Sequence, residues 1–294
     1  MANFSLIVAT WGRVAELERL LRSLDAQSYR GFEVILVDQN GDDRLLSVIA
    51  KYPQIRLHHL RCERGASRAR NLGIKAVQGD IVAFPDDDCW YPADLLAELK
   101  AWFEEHADFD GLFIAARNPE NKLMAPKFRL SYGPVTKKNV LRCAMAINTF
   151  LRVRVIKAIG FFREDFGPGT SSAYQSGEDL DYAIRAAEHG FRLWHQPSIS
   201  VHHPDLDKQR RTSRTTYSYA RGVGYIWRIH GYSWIWCLRE VTLRSLGGAV
   251  FQLCKGDIAK SYSRVLRAAG ELRGYLSPEA NSQSGVQLSG DDLR

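Results

Sequence analysis

The chain has no CxxC pair, and its five cysteines (Cys62, Cys89, Cys143, Cys237, Cys254) are scattered and odd in number. That argues against a zinc module or a disulfide framework and suits a reducing cytosol. Long hydrophobic runs are also missing. The most apolar stretch, Tyr232–Cys254, is broken by Arg239, Glu240 and Arg244, whereas a spanning helix needs roughly 20 predominantly apolar residues. No basic segment and apolar run precede Phe4-Ser5, so a secretory signal is not expected and a cytoplasmic protein is. Val8–Arg13 supplies no glycine-rich phosphate loop, which argues against nucleotidyl transfer onto a sugar phosphate. Acidic residues are scarce in the C-terminal third. From Lys208 to Arg273 there are thirteen Lys/Arg against three acids, Glu240, Asp257 and Glu271. This local excess of ten within a chain of net charge +7 leaves the remainder at −3. Such asymmetry points to an anionic partner surface.

What is present reads as an ordinary folded protein of 294 residues, 45% hydrophobic and 25% charged. That length holds one large α/β domain with an appendage. Ser5–Ala9, Phe32–Val37, Ile55–Leu60, Ile81–Phe84 and Asp110–Ala115 read as strands. Between them, Arg13–Gln27, Ser67–Val77 and Pro92–Glu105 carry helical patterns. The alternation implies βαβ units and a mostly parallel sheet. Further on, Ala144–Val153 is expected to be a core strand, and Phe191–Trp194 and Ile199–His203 two short closing strands. Asn118–Lys138 and Gly167–Ser176 read as loops, and Leu180–His189 as a helix.

Three acidic clusters stand where loops leave elements. In Pro85-Asp86-Asp87-Asp88-Cys89-Trp90, three carboxylates follow a buried strand, where ligands sit in open α/β sheets. They repel one another unless a cation neutralises them, and oxygen ligands suit Mg²⁺ or Mn²⁺. The competing explanation is the first turn of a helix with Pro92 at its first position. Asp38 follows the second strand and could accept from a base or ribose, although a turn role is equally open. Glu178-Asp179 opens a helix, where it could cap the helix or take a proton from a hydroxyl. Val201-His202-His203-Pro204 places one imidazole on the ligand-facing side of a strand.

The order of these features resembles the inverting GT-A glycosyltransferases of family 2 over Phe4–Pro204. Ser5–Arg13 is similar to the family's opening strand and turn, with Gly12 in place of the usual Asn. Val34–Gly41 matches the aspartate strand, Arg64–Gly73 the helix start, Phe84–Tyr91 the DxD-type motif and Gly177–Asp181 the ED segment. Pro197–Pro204 matches the strand that ends in a metal-site histidine, with spacing favouring His203 over His202. The resemblance implies a GT-A, Rossmann-like mixed sheet flanked by helices. It also implies a nucleotide-diphospho-sugar donor and Mg²⁺ or Mn²⁺ held by Asp86, Asp88 and His203. Ala9, Thr10 and Asp38 would then line the nucleoside pocket, and Arg64, Asn71, Asp86 and Asp87 would contact the donor. Asp179 would be the general base, with Glu178 beside it helping to place the acceptor. A processive polymerase would carry Gln-x-x-Arg-Trp and several membrane helices. Neither is found, so transfer of one sugar is expected.

These expectations divide the chain into a transferase domain (1–207), a basic aromatic helical extension (208–277) and a disordered tail (278–294). The extension is expected to lie on an anionic membrane surface holding a lipid-linked glycan acceptor, or to form a homodimer contact. Arginines among tyrosines and tryptophans could also bind single strands, but a nucleic-acid partner is not expected. The remaining alternative is a non-catalytic nucleotide-sugar or glycan-binding protein of the same fold.

Overall fold

The computed structural model describes residues 3–124, 132–204 and 212–277. The expected tail and parts of the expected 118–138 loop and basic extension lie outside these residues. The described residues form two compact units, one of residues 3–162 and 182–204, the other of residues 163–181 and 212–277.

The first unit is built on an eight-stranded mixed sheet. Its strands are β1 (Phe4–Thr10), β2 (Phe32–Asp38), β3 (Leu57–Arg61), β4 (Ile81–Ala83), β5 (Gly111–Arg117), β6 (Gly133–Val135), β7 (Thr149–Arg152) and β8 (Leu193–His202). Their spatial order is β3-β2-β1-β4-β7-β5-β8-β6. β1 pairs in parallel with β2 on one side and β4 on the other, so the chain order reverses there. That reversal opens a crevice beyond the carboxyl ends of the two strands. β7 is antiparallel to both neighbours and β6 to β8, while the other pairings are parallel, so the sheet is mixed as the resemblance implies.

Side chains alternate across the sheet. Phe4, Leu6 and Val8 share a buried core with Leu17, Leu20 and Leu24 of helix α1 (Ala15–Asp25). After the short helix α2 (Leu46–Ile49), helix α3 (Ala66–Ile74) covers the opposite face. A side chain at Gly73 would come within 2.4 Å of Ile7 there. Helix α4 (Leu95–Glu105) adds Leu96, Leu99 and Phe103 to the core.

Two sequence expectations need correction. Ala144–Val153 is a strand only over Thr149–Arg152, because Ala146–Asn148 forms a 3₁₀ turn closed by Asn148 Oδ1 on the Met145 amide at 2.8 Å. The two closing strands are a single strand, β8. Its pairing with β5 jumps from Ile114–Gln196 to Ala115–Ser200 and steps residues 197–199 out of register. Pro197 has no amide to donate, so the interruption in sequence is a bulge in an otherwise continuous strand.

Helix α5 (Val153–Ile159) belongs to the first unit, and helix α6 (Glu178–Glu188) begins in the second. The second unit continues with α7 (Ser213–Ile229), α8 (Trp234–Glu240), a π-helical turn over Val241–Leu246, α9 (Gly247–Cys254) and α10 (Ile258–Tyr275). Thr212, Ser233 and Asp257 cap the starts of α7, α8 and α10, accepting the amides of Thr215, Trp236 and Lys260. α7 and α10 approach so closely that a Cβ at Gly224 would fall 1.9 Å from the Glu271 carbonyl oxygen. One at Gly274 would fall 2.1 Å from the Arg221 carbonyl oxygen. These obstacles are backbone and cannot rotate away. Gly274→Ala is therefore expected to destabilise the second unit by about 1–3 kcal/mol. Thermal denaturation checks this, the control being Gly247→Ala, at a helical φ of −59°, where a Cβ would meet nothing nearer than the Thr242 carbonyl oxygen at 3.4 Å.

Candidate active site

The acidic triplet lies in the crevice between β1 and β4, tied to β1 by a bridge between Ala9 and Asp86. It is not a helix start, since α4 begins only at Leu95, after a turn in which Leu95 N–H donates to the Pro92 carbonyl. The three carboxylates point to different neighbours. Arg13 Nη1 reaches Asp87 Oδ1 at 2.9 Å and Asp88 Oδ2 at 2.5 Å. Arg70, almost fully buried, stands 3.4 Å from the half-exposed Asp86. Arg19 donates to the Asp88 carbonyl oxygen at 2.5 Å and covers the ring of Trp90.

The end of β8 is brought to the triplet by a rung between Trp90 and His202, 112 residues apart in sequence. Trp90 N–H donates to the His202 carbonyl at 2.9 Å, and His202 N–H returns to the Trp90 carbonyl at 3.0 Å. The His202 ring stacks on Trp90 with 9° between planes. Strand alternation then turns His203 the other way, to place its Nε2 3.0 Å from Asp88 Oδ1. Asp86, Asp88 and His203 each offer a ligand atom, and these atoms lie within 4.8 Å of one another.

The cluster's electrostatics fit a cation. His203 Nδ1 is 2.8 Å from the Pro204 carbonyl, which can only accept, so Nδ1 carries a proton. In the neutral ring Nε2 is then a lone pair facing a buried carboxylate oxygen. That geometry needs a proton or a metal ion between the two atoms. Without a metal, a proton serves. Burial works against charge on His203, but the Asp88 hydrogen bond and charge outweigh it and raise the imidazole pKa. Burial likewise pushes Asp88 upward, yet His203 and Arg13 together hold it below the usual value. Asp87 differs. Burial raises it to about 6, with the Arg13 charge only partly countering. Two oxygens and one imidazole nitrogen suit Mn²⁺ or Mg²⁺, and the exposure of Asp86 leaves the site open toward a ligand.

The other expected donor-side residues surround this cluster unevenly. Ala9 and Thr10 end β1, and Asp38 ends β2, fully buried. Asp38 Oδ1 accepts from the Asn40 amide at 2.8 Å and its Nδ2 at 2.7 Å, while Oδ2 meets His59 Nε2 at 3.0 Å. Arg64 is exposed and lies 3.8 Å over the Trp11 ring. Asn71 is turned to Phe162, donating to its carbonyl at 2.9 Å and accepting its amide at 2.8 Å. Arg70 has no separate role in the sequence reading. Its only signal was its place one turn along α3, beside Asn71.

Glu178 and Asp179 lie in the second unit, in the first turn of α6. Gly177, at φ 103°, leads into it, and a Cβ there would strike Ile226 of α7 at 2.6 Å. Glu178 is buried beneath Gly167, where a Cβ would fall 3.2 Å from its Oε2. Asp179 is half-buried, with Oδ1 accepting the Leu180 amide at 2.8 Å. The next acid, Asp181, is buried against His230 Nε2 at 3.0 Å.

The family model "Glycosyl transferase family 2" matches residues 5–160. The chain is 23% identical over 205 residues to the uncharacterized glycosyltransferase YwdF of Bacillus subtilis, covering 68% of this chain and 73% of that one. The mannosyltransferase PcManGT from Pyrobaculum calidifontis, solved with GDP-Man and Mn²⁺, superposes with TM-score 0.66 at 17% identity. That match covers 95% of this chain and 88% of the other. Residues 1–349 of TarS from S. aureus, solved with UDP-GlcNAc, give TM-score 0.60 at 18% identity, covering 93% and 89%. These two structures share the mixed α/β GT-A fold with the chain.

If Asp86, Asp88 and His203 are cation ligands, His203→Ala should weaken Mn²⁺ binding by roughly tenfold or more. Trp90→Ala, which removes the ring stacked on His202 and covered by Arg19 but keeps the backbone rung, should weaken it less. Electron paramagnetic resonance of free Mn²⁺ during titration measures both, and unchanged binding in His203→Ala would remove this histidine from the site.

Proposed function

Because the chain belongs to glycosyl transferase family 2, we propose that it moves one sugar from a nucleotide-diphospho-sugar to an acceptor hydroxyl in a single inverting displacement. The convergence of Asp86, Asp88 and His203 on one point carries this reading. When bound there, Mg²⁺ or Mn²⁺ would neutralise the diphosphate leaving group. The Mn²⁺ bound with GDP-Man in PcManGT supports the choice of ion.

The protein's own groups divide the remaining work. Ala9, Thr10 and Asp38 border the nucleoside end of the crevice, and Asp38 is held rigid by Asn40 and His59. Arg13 and Arg70 keep the carboxylates apart by pairing with them from two sides. Asp179 accepts the acceptor's hydroxyl proton as the new C1–O bond forms and the bond from C1 to the diphosphate oxygen breaks. The anomeric configuration inverts because only one displacement occurs. Glu178, locked under Gly167, helps place the acceptor.

The acceptor is proposed to be a lipid-linked glycan in surface polysaccharide synthesis, met at the membrane surface. Among the described residues no helix is long and apolar enough to cross a membrane. Instead, α8 to α10 expose Ile235 (80%), Leu243, Val250, Phe251 and Ile258 (71%). Arg239, Arg244, Lys255 and Lys260 are exposed among them. Three of these cations pair with acids, Arg239 and Arg244 with Glu240 and Lys260 with Asp257, and the stretch keeps a basic excess. Glu240 and Glu271 are buried on Arg244 and Arg267, and Asp257 caps α10. An exposed apolar face with a net basic excess matches anionic lipid.

Two outcomes are expected. In a nucleotide-sugar panel, EDTA should remove donor hydrolysis and transfer. Asp179→Asn should still bind donor but lose roughly 10²–10⁴-fold in kcat. Full activity in that variant would end the base assignment. In sedimentation with vesicles, binding should require anionic lipid and fall when Leu243 and Phe251 are changed to Ser. Equal binding to neutral vesicles would count against the membrane reading.

A further inference from the structure

The second unit holds a half-open cleft of about 480 Å³ that the proposed reaction leaves unused. Small-ligand sites occupy roughly 300–1,000 Å³. One wall is the loop 170–175, and the other is a face of α7. Arg214, Ser218 and Arg221 line it at the i, i+4, i+7 spacing that puts side chains on one side of a helix. Ser171, Ser172 and Thr215 add hydroxyls, and no carboxylate is in the lining.

The two arginines are the informative part. Among the described residues neither has an ion-pair partner. Arg221 Nε is buried and has no hydrogen-bond partner. Its guanidinium lies 5.2 Å from the Tyr174 ring centroid, which holds it against the loop wall. A buried guanidinium N–H with no acceptor is costly and fits a ligand oxygen that accepts from it. The backbone behind it is fixed, since Gly270 and Gly274 of α10 press on α7 at Ala220 and Arg221. Ser176 Oγ donates to the Tyr219 carbonyl at 2.7 Å and ties the end of the loop to the same helix.

Two guanidinium groups with no carboxylate beside them favour an oxyanion, with the hydroxyls available to complete its hydrogen bonding. The loop runs directly into Gly177-Glu178-Asp179, so the cleft shares a unit and a chain segment with the proposed base. We propose that this cleft binds a phosphate ester carried by the acceptor, with Arg214 and Arg221 as its principal donors. The proposal rests on the glycosyltransferase reading, which makes an acceptor necessary.

The test is calorimetric titration of the full chain in EDTA with glycerol 1-phosphate, dimethyl phosphate and glycerol. Wild type should bind one or both phosphate compounds and not glycerol. Binding of the monoester alone identifies a terminal phosphate as the group held, and binding of the diester identifies an internal one. Arg214→Gln/Arg221→Gln should weaken this binding by roughly tenfold or more. If the double variant has a lowered thermal midpoint, Arg214→Glu replaces it, because Arg214 is exposed. Failure of both phosphate compounds to bind, or equal binding in a folded variant, overturns the proposal. Loss of metal-dependent donor turnover in the panel would instead overturn the catalytic reading and leave the titration result standing.

Discussion

A buried carboxylate oxygen and an imidazole lone pair held 3.0 Å apart repel unless something positive lies between them, and the first unit is arranged to hold them there. Asp88 arrives at the end of β4, whereas His203 arrives at the end of β8, across a sheet whose central order must be correct for the two to meet. The Trp90–His202 rung makes the final connection and decides which of two adjacent histidines faces the carboxylates. Arg13 and Arg70 partly offset the remaining acidity without displacing the opening on Asp86. The charge problem posed by three successive aspartates is thus solved by position, leaving one point suited to a divalent ion.

The two units contribute different chemistry to the proposed reaction. The first supplies the β1–β4 crevice, with its nucleoside wall and cation ligands on strand ends. The second supplies Asp179 and Glu178 on a helix start, together with the basic cleft and the exposed apolar face. Its α7–α10 crossing brings the two backbones together at small residues, while Tyr225, Ile226 and Trp227 of α7 are buried. The same crossing fixes the base of Arg221, so packing and recognition there depend on one helix pair.

Much of the first unit was legible from local pattern. Apolar runs of strand length alternating with helical stripes located β1, β2, β4, α1 and α3 to within a few residues, because burial on one or two faces writes itself into neighbouring positions. The acidic triplet stood out because three adjacent carboxylates after a strand have few stable environments. What escaped the sequence depends on partners distant along the chain. Pro197 broke the strand signal of β8, although pairing with β5 carries the strand past it. Asn71 gives both ends of its amide to Phe162, and Arg70 comes to Asp86 from the next position on the same helix. The association of residues 163–181 with the C-terminal helices leaves no periodic trace, since glycines mark it by their lack of side chains.

The assignment of Asp86, Asp88 and His203 to one divalent-cation site is open to direct observation. Anomalous diffraction from crystals grown with Mn²⁺ and a nucleoside diphosphate addresses it most directly. A single Mn²⁺ peak bonded to side-chain atoms of these three residues and to diphosphate oxygens is expected. A peak elsewhere, or diphosphate bound with His203 Nε2 still turned only to Asp88, would contradict it.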